Sequence, residues 1–133
     1  MPIEQLDHIN IRSVKLDESL LFYRDIIGLS ATPPPSCKDF SKGIYFCDSQ
    51  GTAIIHLIAV SEQAESIARV RGTAQHGMID HFALRSSGSP NTLKKALDKH
   101  GLVYEAFDVD ILHAHLVFVI DPNGVNVEIA FPL

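Results

Sequence analysis

Leu6-Asp7-His8-Ile9-Asn10-Ile11-Arg12 returns 73 residues later as Ile79-Asp80-His81-Phe82-Ala83-Leu84-Arg85. The same offset relates Asp25-Ile26-Ile27-Gly28-Leu29 to Asp98-Lys99-His100-Gly101-Leu102. It also relates Asp48-Ser49-Gln50-Gly51 to Asp121-Pro122-Asn123-Gly124. Three matches at one spacing make the chain two copies of one supersecondary unit, each too small to bury its apolar face alone.

Within the first copy, Leu6–Arg12 alternates polar and apolar and predicts a half-buried strand. Leu16–Ile27 carries Leu20, Leu21, Phe22, Ile26 and Ile27 at helical spacing, with Asp17 as expected N-cap and Gly28 past the end. Pro33-Pro34-Pro35 marks an irregular stretch. Gly43–Cys47 and Ala53–Val60 read as strands joined by a turn at Asp48–Gly51. In the second copy, Asp80–Arg85 is a strand, and Ser89 and Pro90 open a helix that stops before Gly101. Val103–Val109, His113–Ile120 and Val125–Phe131 are strands, the last two joined by Asp121-Pro122-Asn123-Gly124. Glu62–Val70 reads as a short connecting helix. The expected fold is α+β: two tandem βαβββ modules forming a cupped, mostly antiparallel sheet with helices on its outer face. The expected division is a single domain over 1–133, with modules at 1–60 and 79–133 and a connector at 61–78.

Composition agrees with one folded domain. The chain has 133 residues, 46% of them hydrophobic and 20% charged, which excludes a disordered chain and a coiled coil. A net charge of −5 without a Lys/Arg run excludes the electrostatic footprint of a nucleic-acid binder. No apolar stretch reaches membrane-spanning length, and Met1–Gln5 opens no signal peptide, so a cytoplasmic location is expected. Cys37 and Cys47 are expected as reduced thiols. Seven histidines are the surplus in this composition, and they point toward metal or acid–base chemistry.

Strand alternation divides the faces. Ile9 and Ile11 share one face; His8, Asn10 and Arg12 share the other. In the repeat, Phe82 and Leu84 oppose His81, Ala83 and Arg85. Val127 and Ile129 oppose Asn126 and Glu128, and His56 is the polar residue of an apolar run. The repeat pairs His8 with His81, and His56 with Glu128 once one residue is deleted in the second turn. Two symmetric pairs of imidazole and carboxylate make His8, His81 and Glu128, with His56 as a fourth, candidate ligands for Fe, Ni, Zn, Mn or Co. The bland alternatives are a structural, hydrogen-bonded histidine at each strand position, and a salt bridge from Glu128 to Arg12 or Arg85. His113 and His115, at period two, face solvent or line a cleft as acid–base groups. Arg12 and Arg85 hold an anionic group or form outer salt bridges. His76 and His100 read as surface background.

These residues resemble the vicinal oxygen chelate superfamily: glyoxalase I, methylmalonyl-CoA epimerase, extradiol dioxygenases, and fosfomycin and bleomycin resistance proteins. The resemblance rests on Leu6-Asp7-His8-Ile9, Phe22-Tyr23-Arg24-Asp25 leading to Gly28-Leu29, Ile79-Asp80-His81, and Phe118 through Glu128. It implies two modules around a divalent metal held by His8, His56, His81 and Glu128. It also implies lyase or isomerase chemistry through a metal-bound enolate, with Glu128, His115 or His113 moving the proton. Asn10, Arg12, Arg85 and Phe118 are the substrate-side candidates. The alternatives are an Fe(II) ring-cleaving dioxygenase, whose relatives usually carry tyrosine where this chain has Phe118, and a non-catalytic small-molecule binding or resistance protein. Glyoxalase I usually has Glu or Gln in place of His56. The partners expected are a small-molecule substrate and a second copy of the chain in a homodimer, with no nucleic acid and no membrane.

Overall fold

The computed structural model describes residues 1–61, 79 and 81–133. The helix expected over Glu62–Val70 and His76 lie outside the described residues. The chain forms two compact units, Met1–Ile67 and Ala68–Leu133.

The first unit runs β1 (Ile9–Ser13), α1 (Leu16–Leu20) continued by a π-helical segment (Leu21–Ile27), β2 (Ser30–Thr32), β3 (Gly43–Cys47) and β4 (Ala53–Ala59). The second runs β5 (Phe82–Arg85), α2 (Pro90–Lys99), β6 (Tyr104–Val109), a 3-10 turn (Asp110–Leu112), β7 (Ala114–Ile120) and β8 (Asn126–Pro132). The sheet orders are β1-β4-β3-β2 and β5-β8-β7-β6. In each, the first strand runs parallel to the fourth and the other pairs are antiparallel. This is βαβββ twice, as the repeat predicts. The strand that periodicity does not reveal is β2, whose three residues are too few to show a pattern.

Each sheet buries one face under its helix. In the first unit Ile11, Ile44, Phe46, Ile55 and Leu57 are buried, together with Phe22, Tyr23 and Ile26 of the helix. The Tyr23 and Phe46 rings lie 5.0 Å apart. In the second, Leu93 and Leu97 of α2 are buried, as are Val117, Val119, Val127, Ile129 and Phe131. Each such side chain contributes about 1.5–3 kcal/mol on leaving water.

Three local expectations are corrected. β1 begins at Ile9 and β5 at Phe82, so the strands are shorter than their alternating sequence, and Leu6–His8 are exposed. Asp17 does not cap α1, which starts one residue earlier behind Lys15 and has no side-chain cap. Two buried serines shape that entrance instead. The Lys15 N–H donates to Ser13 Oγ at 2.9 Å, and the Ser19 hydroxyl donates to the Lys15 carbonyl at 2.6 Å. The one-residue mismatch between copies lies in β4, where the β3–β4 register shifts at Phe46/Cys47. Ile54 is the additional residue. The turns themselves keep equal length.

Those turns are near duplicates. Asp48 Oδ1 accepts the backbone N–H groups of Gln50 and Thr52 at 2.9 and 3.0 Å; Asp121 Oδ1 accepts those of Asn123 and Val125 at 2.8 and 2.7 Å. Asp121 is 4% exposed, whereas Asp48 is half-buried. Asp121→Ala is therefore expected to cost about 2 kcal/mol, because two amides lose their acceptor away from water. Asp48→Ala is expected to cost about 1 kcal/mol, because water replaces the carboxylate. Urea unfolding of the two variants checks the order; equal losses would show that burial does not decide it.

Candidate functional site

In the first unit, β4 sets His56 opposite Asn10 of β1 on one side and opposite Tyr45 of β3 on the other. His8 reaches the same face from just before β1. The result is a stack of three rings. His8 and His56 have centroids 3.8 Å apart at 15°, and Tyr45 and His56 are 3.8 Å apart at 7°. His8 Nδ1 lies 2.6 Å from Asp7 Oδ2, a carboxylate, to which it donates. His56 Nε2 donates to the Ala53 carbonyl at 3.2 Å.

In the second unit, β8 sets Glu128 opposite Ala83 of β5 and opposite Phe118 of β7. His81 Nε2 lies 2.9 Å from Glu128 Oε2, with side-chain exposures of 34% and 14%. The glutamate's partner is thus His81, in place of the expected Arg12 or Arg85. The Phe118 ring meets His81 edge-on at 5.3 Å and 89°, and stacks on Phe107 at 5.8 Å and 17°. A groove of about 690 Å³ opens beside these rings, with Phe107, Phe118, Ile120 and Asn126 among its walls.

The registers make the two sites equivalent. Asn10, Tyr45 and His56 of one unit correspond to Ala83, Phe118 and Glu128 of the other, as the bulge at Phe46/Cys47 absorbs the odd residue. The four expected donors thus stand as one pair in each unit: His8 with His56, and His81 with Glu128. Among the described residues, no group of three or more His, Cys, Asp or Glu side chains is gathered as a metal cluster. Asn10, Arg12 and Arg85 are exposed on the same faces as the donors, with Arg12 opposite Ile58 and Arg85 opposite Ala130.

His113 and His115 do not join Glu128. His113 lies outside β7, exposed, in the left-handed region at φ +50°. His115 pairs with Phe131 and Asp108, which places it on the opposite face of the sheet from Phe118 and Glu128. There its Nδ1 meets Asp108 Oδ1 at 2.6 Å, and its Nε2 is buried without a hydrogen-bond partner among the described residues. A period-two argument fails where one of the two residues is not in the strand. His100, exposed at the end of α2, is ordinary surface. Sequence reasoning missed Tyr45, Phe107 and Asp108. The signal for Tyr45 was available, because it stands 73 residues before Phe118.

No protein-family model matches the chain, and no curated protein matches it in sequence. Solved structures do match in shape. An integron cassette protein from the mobile metagenome of the Halifax Harbour sewage outfall superposes with a TM-score of 0.66 at 21% identity, covering 97% of this chain and 99% of that one. A glyoxylase/bleomycin resistance protein/dioxygenase domain from Frankia sp. EAN1pec gives 0.69 at 16%, over 99% and 94%. Lactoylglutathione lyase from Agrobacterium tumefaciens gives 0.62 at 18%, over 98% and 95%. The chain has the vicinal oxygen chelate fold. At these identities the likeness is one of architecture, and the vicinal oxygen chelate fold carries several chemistries, so the reaction has to be argued from the residues. No helix among the described residues is long and apolar enough to cross a membrane.

Proposed function

We propose that this chain is a small-molecule-binding protein whose ligand lies on the Glu128 face of the second unit. The observation that carries this reading is the continuity of groove and polar pair: Phe118 lines the groove and also touches His81, which pairs with Glu128. A mostly apolar concavity with a few convergent polar groups is the usual form of a small-ligand site. Aromatic walls supply area, and the imidazole and carboxylate supply orientation. The test is a thermal-shift screen of small organic compounds on the intact chain. A ligand present at 100 times its Kd is expected to add about 2.7 kcal/mol of stability. Phe118→Leu, which keeps bulk and loses the ring, is expected to weaken it about tenfold. Ligands whose affinity ignores Phe118 would bind elsewhere and overturn the reading.

A second reading, a divalent-metal enzyme, is favoured by the equivalence of the two donor pairs. His81 and Glu128, whose Nε2 and Oε2 lie 2.9 Å apart, are side chains of the types a divalent metal accepts. His8 Nε2, with Asp7 behind Nδ1, has the carboxylate-backed form of a ligating imidazole. Among the described residues no group of three or more donors is gathered, so it is the donor types that suit a divalent ion. When bound it supplies Lewis acidity toward a substrate oxygen. Of the chain's own groups, Glu128 moves a proton at its Oε atoms, and the Phe107–Phe118 surface orients substrate and excludes water. His113 and His115 take no part. Under this second reading the reaction is lyase or isomerase chemistry, with Fe(II)-dependent ring cleavage as its alternative.

A further inference from the structure

The groove of the second unit has a chemical bias. Val103, Glu105, Phe107, Phe118, Ile120 and Asn126 line it from one face, since β6 pairs Glu105 with Phe118 and β8 pairs Asn126 with Ile120. Val103 is 89%, Ile120 53% and Phe107 46% exposed. The Phe107 and Phe118 rings are 5.8 Å apart and nearly parallel. That is too close to admit a third ring between them, because each face-to-face contact takes about 3.5 Å. The stacked pair therefore offers a floor on its outer side, where a flat molecule lies. Among the side chains that line the groove the charge has one sign. Glu105 is the charged residue among the lining side chains; Glu128, next to Phe118 across the β7–β8 pair, is already paired with His81. Among the described residues, no lysine, arginine or histidine lines the groove.

Resting on the small-molecule reading above, we propose that the ligand is a flat aromatic cation: a protonated heteroaromatic or aryl amine of two or three fused rings. Such a molecule gains three times over. Its rings bury apolar area on Phe107 and Phe118. Its charge interacts with the negative ring faces. Its N–H groups reach Glu105 as charge-assisted donors. An aromatic carboxylate or sulfonate gains the first and is opposed by the acidic rim. The volume of about 690 Å³ suits a ligand of this size.

Three probes of matched shape test the charge: an aminoacridine dye as the cation, anthracene methanol as the neutral form and anthracene carboxylate as the anion. Fluorescence anisotropy on the full chain reads their affinities. The cation is expected to bind at least about tenfold more tightly than the anion. Phe107→Ala is expected to weaken all three, and Glu105→Gln to weaken the cation about fivefold while leaving the neutral probe unchanged. Both side chains are exposed, so the variants keep their fold, which circular dichroism confirms. An anion bound as tightly as the cation, or a cation indifferent to Glu105→Gln, overturns the ligand class and leaves the binding reading intact. Failure of all three probes, with no hit in the broader screen, overturns both. A dimer that Phe107→Ala splits in sedimentation, with no probe bound, assigns the face to a second copy and likewise overturns the proposal.

Discussion

Gly43→Ala is expected to lower the stability of the chain by about 3 kcal/mol, seen as a fall in Tm of roughly 10 °C. Gly43 opens β3 at φ +154°, and a Cβ there would collide with the backbone carbonyl oxygen of Leu57. The obstacle is backbone, so no side chain can turn aside. Nor can the strand retreat cheaply. Gly43 is paired with Ile58, the Gly43 N–H donates to the Phe40 carbonyl at 3.2 Å, and the Ala59 N–H donates to the Lys42 carbonyl at 3.1 Å. Relief of the clash breaks some of these bonds and shifts His56, which lies two residues from Ile58 on β4. The corresponding residue of the second unit is Leu116, an ordinary strand residue, so the requirement belongs to this strand and not to the fold. Thermal and urea unfolding check it. A loss below about 1 kcal/mol would show that the β3 end yields without cost.

What could be read in advance follows from what periodicity and repetition encode. Strand faces were legible because Ile9 and Ile11 in one copy, and Val127 and Ile129 in the other, alternate with polar neighbours. The equivalent strand positions of four residues were legible because the two copies test one another: His8 with His81, and His56 with Glu128. Three features were not. β2 is too short for a period. The bulge at Phe46/Cys47 is a backbone event with no residue signature, so the odd residue was assigned to a turn when it lies in β4. The face of His115 was hidden because His113 was counted as part of the strand; counting back from Phe118, which pairs with Glu128, gives the observed side. The groove was partly legible. Phe118 was singled out, but Phe107 comes beside it only through the β6–β7 register, where it pairs with Leu116 next to Phe118.

Under the metal reading, His81→Ala and Glu128→Gln are each expected to weaken divalent-metal binding by about 100-fold or more. Asp7→Asn is expected to weaken it about tenfold, through the orientation of His8. His81 is a third exposed, so its loss leaves the fold standing. Glu128 is 14% exposed, and its neutral isostere avoids an uncompensated buried charge. Isothermal titration with Zn, Mn, Ni and Fe(II), paired with circular dichroism, separates ligation from structure. A variant that unfolds with unchanged metal uptake shows a structural histidine. With Fe(II) loaded, oxygen consumption on catechols assigns ring cleavage. Solvent proton exchange next to a substrate carbonyl, lost in Glu128→Gln, assigns lyase or isomerase chemistry. The binding reading predicts a different pattern. His81→Ala then changes ligand affinity only modestly, because the Phe107–Phe118 floor remains, and the protein needs no metal to hold its ligand. The two readings thus part on one variant: a change at His81 that removes the metal and spares the organic ligand shows that the groove binds by its rings alone.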